Sequence, residues 1–196
     1  MHHEHDLNPL ALAALSLLVE QPMHPYEMQQ MLIKRNEDRL VKLSFGSLYR
    51  AVSRLAERDY IRATGTDREG NRPERTTYEI TDEGKRVFAE RVAEILSRSV
   101  NEYPEFPVGL GHADILPVAT VIRMLRKRVV LLRADITVLG GSIEAMNDVK
   151  LPPKFWLDKR YLRDMVSAEI ATLTSLIDDL SHGVIDWSAT PESCTE

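Results

Sequence analysis

Within "SFGSLYRAVSRLAER", Ser44–Arg58, arginines stand four residues apart at positions 50, 54 and 58 among leucines and a valine that favour burial. A guanidinium is a planar fork of donors. It can grip guanine O6 and N7 together, or a phosphate in the same two-pronged way. This chemistry suits binding to a nucleic acid. Ser44, Ser47 and the amides that open the segment suit phosphate contacts, and Tyr49 stands where its hydroxyl can reach a phosphate.

The chain as a whole does not advertise such a partner. Its 196 residues carry 25 Lys and Arg against 30 Asp and Glu, a formal net charge of -5. That balance argues against coating nucleic acid by bulk charge. The distribution differs. From Arg39 to Arg75, nine basic residues meet five acidic ones, a local excess of +4. A compact cationic patch can steer toward phosphate even on an acidic protein.

No other constellation supports a chemical role. The sequence has no Walker loop, no dinucleotide fingerprint and no metal-binding helix signature. "GLGH" at Gly109–His112 is too short and lacks a preceding strand. His24, His112 and His182 are scattered singles, and Asp178 and Asp179 close a helix without a cation-binding pattern. His2, His3 and His5 read as a solvated tail, and the single Cys194 as inert. The expectation is a protein without enzymatic activity, metal or cofactor. The longest apolar run, Leu10–Val19, is ten residues, half of what a membrane span needs, and no basic segment precedes it. A cytoplasmic location is expected.

The elements that must position the arginines can be read from local signals. Asn8 before Pro9 opens a helix through Glu20 that is apolar nearly all round and belongs in a core. Pro25 opens a second helix to about Arg35. Ser44 is an N-cap, and Leu48, Ala51, Val52 and Leu55 define one buried stripe. At 100° per residue, Arg50 and Arg54 point to the opposite side. Tyr60–Thr64 and Thr76–Ile80 read as a hairpin around a charged tip, with Arg72 and Arg75 on it. Thr81 caps a fourth helix to about Ser99, with acids in its first turn. Three helices, a hairpin and a helix form the order of a winged helix-turn-helix.

Asn101–Pro117, rich in Pro and Gly, is expected to be a hinge. Beyond it, Ile122, Leu125, Val129, Leu132, Ile136, Leu139, Ile143 and Met146 form a heptad seam. Gly140 and Gly141 lie off the seam and allow a kink. A second amphipathic helix follows, from about Pro153 to His182. The fold class is therefore mainly α, an N-terminal winged helix-turn-helix with a C-terminal antiparallel helical hairpin or coiled-coil dimerisation domain. The expected boundaries are 1–100 for DNA binding, 101–117 for the hinge, 118–187 for dimerisation and 188–196 for a tail. A lone hairpin leaves much of its apolar surface wet, so a homodimer through these helices is expected. Tyr103, Phe106, Phe155 and Trp156 lie near the domain junction or the hairpin turn and can stack on a flat small-molecule effector.

At this point a resemblance is specific. "SFGSLYRAVSRLAERDYI", followed by "GNRPERTTYEITDEG", strongly resembles the PadR family of bacterial transcriptional regulators. "LLVEQPMHPYEMQQML" is similar to that family's first two helices. "EFPVGL" and the helices around "LPPKF" are similar to its longer-tailed subfamily. The likeness runs from Pro9 to Trp187. It implies a homodimeric repressor that places the Ser47–Leu55 helix in the major groove and the 66–75 wing beside it. It also implies release from double-stranded DNA by a small ligand, often aromatic. Two departures stand out. Arg50 occupies a place where the family commonly has Pro, and the family's usual His-Gly-Tyr is His24-Pro25-Tyr26 here. The operator is expected to be a near-palindrome with half-sites about one helical turn apart. The rival expectation is a protein-interaction adaptor that uses the same fold without specific DNA binding.

Overall fold

The computed structural model describes residues 7–67 and 75–189. These separate into two compact units that divide between Asn101 and Glu102. The first contains α1 (Pro9–Glu20), α2 (Pro25–Lys34), α3 (Phe45–Glu57), β1 (Ile61–Asp67), β2 (Arg75–Ile80) and α4 (Asp82–Ser97).

Each helix of this unit begins where a side chain can satisfy amides that the helix itself leaves unpaired. Asn8 accepts from the Ala11 amide at 2.9 Å. His24 Nδ1 accepts from the Tyr26 amide, and Glu27 returns the favour by accepting from the His24 amide. This histidine has a structural task as an N-cap. Thr81 accepts from the Gly84 amide at the head of α4. Helix α1 is the centre of the unit. Leu10, Ala11, Ala14, Leu15, Leu17 and Leu18 are all buried, so its apolar surface is covered on several sides. Met28 and Leu32 of α2 and Leu48, Val52 and Leu55 of α3 complete the core.

The hairpin is antiparallel, with Ile61 opposite Ile80 and Ala63 opposite Tyr78. β1 extends to Asp67, past the Thr64 limit read from β-propensity, and an irregularity between Ala63 and Gly65 accommodates Thr64. A further contact is not visible in the sequence. Met23, between α1 and α2, exchanges backbone hydrogen bonds with Tyr78 at 3.0 and 3.1 Å. The wing is thereby tied to the helical core.

The second unit contains α5 (Glu105–Gly111), α6 (Val118–Asp148) and α7 (Leu157–Ser181). The stretch expected to be a hinge, 101–117, thus carries a helix. Phe106 and Leu110 of α5 pack on the core of this unit, and Ala113 is buried in it. Pro and Gly set the ends of short elements here; they do not make the segment structureless. α6 runs through Gly140 and Gly141 without a break. Its buried face is Val121, Leu125, Val129, Leu132, Leu139 and Ile143. Val121 is buried beside Ile122, which packs half-buried on the same core, and Ile136 and Met146 of the expected seam are also only half-buried. Leu173, Ile177 and Leu180 of α7 face this stripe. Arg128 of α6 joins the layers: its Nε donates to Glu169 Oε1 of α7 at 2.7 Å, and its guanidinium lies 3.7 Å from the Phe106 ring centre.

Candidate nucleic-acid interface

Helix α3 has two chemically distinct faces. Leu48, Ala51, Val52 and Leu55 are buried, while Arg50, Ser53, Arg54 and Glu57 are exposed. Arg50 and Arg54 have no carboxylate partner among the described residues. Arg50 lies back along its helix: a Cβ on Gly46 would stand 3.4 Å from its Nη1. Its guanidinium is therefore carried toward the first turn.

Ser44 and Ser47 form a closed reciprocal cap. Ser44 Oγ accepts from the Ser47 amide and donates to Ser47 Oγ, and Ser47 Oγ donates to the Ser44 carbonyl. Each hydroxyl has one proton, and both are engaged. In this arrangement the serines fix the helix start and offer a phosphate no hydroxyl donor.

Tyr49 is half-buried on the flank of α3. Its ring stacks on Phe45 at 4.4 Å between centroids and meets His24 edge-on at 6.2 Å. Phe45 remains 50% exposed beside it. The sequence reading missed this residue, because an aromatic at N1 fits neither the buried stripe nor the cationic row. Lys42 was missed as well. It precedes the helix, so no helical periodicity points to it, yet it lines one groove with Arg50 and Arg54.

Arg72 lies outside the described residues. Arg75 opens β2, its backbone paired in register with Asp67. Arg62, on the preceding strand, is held by Glu79 at 2.6 Å.

The aromatics expected to gather around an effector stand in separate places. Tyr103 is 81% exposed, and Phe106 is packed on the α6–α7 core beneath Arg128. Phe155 and Trp156 lie in the turn between α6 and α7, where the Trp156 indole donates to the Leu151 carbonyl at 3.2 Å. From Arg128 to the end of α6 is 20 residues of helix, roughly 30 Å at the usual rise. A single small ligand on one chain does not bridge Phe106 and Phe155.

The model of the transcriptional regulator PadR-like family matches residues 14–90, from α1 through most of α4. Residues 14–90 are a PadR-like domain. Three solved structures extend the likeness over both units. One is Bacillus subtilis PadR in complex with operator DNA, at 18% identity and a TM-score of 0.74, covering 87% of this chain and 97% of that one. The same regulator in complex with p-coumaric acid gives 16% identity and 0.73, over 88% and 98%. The PadR-like regulator BC1756 from Bacillus cereus gives 18% and 0.65, over 88% and 98%. At these identities the likeness establishes the fold. No curated protein matches the sequence. Within the PadR-like domain, α3 is the second helix of the helix-turn-helix and the β1–β2 hairpin is the wing.

Proposed function

We propose that this protein is a homodimeric transcriptional repressor that binds a near-palindromic operator. In this reading residues 1–100 bind DNA and residues 118–187 pair two chains. The observation that carries it is the division of α3, whose apolar side is buried while Arg50 and Arg54 project outward with no carboxylate partner among the described residues. Arg50 and Arg54 then meet the major groove, Tyr49 a flanking phosphate, and the wing arginines Arg72 and Arg75 the backbone beyond. Ser44 and Ser47 serve by fixing the helix start. A similar fold has been solved on operator DNA.

Pairing is supported by a second row on α6. Met124, Leu131, Val138 and Ala145 recur every seven residues and are exposed, with Ala134 and Gly141 between them. Such a row, 44%, 59% and 43% exposed at its three largest members, suits a second copy of the same helix pair. A small aromatic molecule is the proposed effector, in line with the p-coumaric acid complex of the similar fold.

The test is a footprint on the DNA upstream of the protein's own gene. The expected result is protection of two half-sites about ten base pairs apart, centre to centre. Binding no tighter than to random duplex would favour an interaction adaptor instead.

A further inference from the structure

Among the described residues of the first unit, five arginines are held by acids. Arg35 pairs with Glu20, Arg62 with Glu79, Arg86 with Glu83 and Glu90, and Arg91 and Arg98 both with Glu94. Lys42, Arg50 and Arg54 are treated differently. No described carboxylate pairs with any of them, and all three line one open groove of about 400 Å³. Leu10, Val41 and Ala51 contribute its apolar lining. Like charges gathered around one recess repel each other, and an anion seated among them relieves that cost.

The three cations are not equivalent. Arg50 is drawn back over Gly46 toward the first turn of α3, the end of a recognition helix that meets base edges. Arg54 lies one turn further along, and Lys42 comes from the strap before the helix, on the groove wall. An ammonium is a compact point charge with no fork to match a base edge, so Lys42 suits a phosphate.

We infer that Lys42 and Arg54 together hold one backbone phosphate of duplex DNA in this groove, as positioning residues that leave Arg50 to read a base. The inference rests on the repressor reading and divides its labour. Phosphate contacts set register on the duplex without carrying sequence information, whereas a bidentate arginine on a base edge carries it.

The experiment compares the full chain with Lys42→Ala, Arg54→Ala and the double variant. Affinities are measured on the upstream fragment and on a random duplex of equal length, across a series of salt concentrations. Each single variant should weaken both duplexes by the same factor, about five- to tenfold, and lower the salt slope, and the double variant should lower it by about one. The double variant should lose less than the product of the single losses, because the two side chains share one phosphate. Lys42→Arg should restore the slope. An unchanged slope, a loss confined to the upstream fragment, or multiplicative losses in the double variant would each overturn the assignment. Equal affinity of the wild-type chain for both duplexes removes the operator reading alone, since the slope is read on either. No binding by the wild-type chain removes both.

Discussion

A Cβ placed on Gly84 would stand 2.0 Å from the carbonyl oxygen of Tyr60 and 2.9 Å from its carbonyl carbon. The closeness has a cause. The Thr81 hydroxyl shares its one proton between the carbonyls of Asp59, at 2.7 Å, and Tyr60, at 3.1 Å, the Thr81 amide donates to the Tyr60 carbonyl, and the Gly84 amide donates to the Thr81 hydroxyl. The head of α4 is thus drawn onto the bend between α3 and β1, and only a residue without a side chain fits. Gly84→Ala is expected to lower unfolding stability by about 1–3 kcal/mol, since the obstruction is backbone and cannot swing aside. Urea denaturation measures it. A loss below about 0.5 kcal/mol would show that α4 is not docked this way.

What the sequence disclosed and what it concealed divide along one line. The starts of α1, α3 and α4 were legible because capping is local: Asn8, Ser44 and Thr81 each serve an amide three residues on. The outward turn of Arg50 and Arg54 was legible because it follows from where Leu48, Val52 and Leu55 must go. The reason for Gly84, the Met23–Tyr78 bridge and the groove joining Lys42 to α3 were not, because each depends on residues distant in sequence. The same holds for Phe106, which reads as a stacking aromatic until Arg128 is found above its ring.

The proposed pairing of chains through the exposed row of α6 is tested at the centre of that row. Leu131 is 59% exposed in the single chain, so Leu131→Glu should leave the protomer folded. Sedimentation should give twice the 22.3 kDa chain mass for the wild-type protein and single chains for the variant. A variant that remains paired would move the interface elsewhere.

The Glu20–Arg35 pair ties the end of α1 to the end of α2. The hydrogen bond from Arg35, aided by its charge and opposed by partial burial, holds the Glu20 carboxyl below its ordinary value of 4.5. A lowered folded value means that the pair stabilises the fold above the unfolded value and loses this as pH falls through the folded one. Both side chains are partly exposed, so the contribution is under about 1 kcal/mol. Arg35→Met should destabilise near neutral pH and have little effect at about pH 2, read by denaturant melts. An equal loss at both would assign the effect to packing.

Binding of the proposed aromatic effector can be tested through tryptophan emission, because the chain has two tryptophans, Trp156 and Trp187. Titration with p-coumaric acid should change their emission and weaken DNA binding in parallel. Phe106→Ala and Phe155→Ala then separate the two aromatic places, since only one of them should abolish the change. Flat emission with unaltered DNA affinity, up to the solubility of the acid, would remove an aromatic effector of this type.

The most direct measurement is the affinity of Arg50→Ala for the upstream fragment and for random duplex at matched salt. The outward guanidinium of Arg50 is expected to contribute about 1–3 kcal/mol of discrimination, so the variant should lose roughly five- to hundredfold of its preference between the two duplexes. An Arg50→Ala protein that keeps the full preference of the wild-type chain would contradict the account, because α3 would then not be the element that reads DNA.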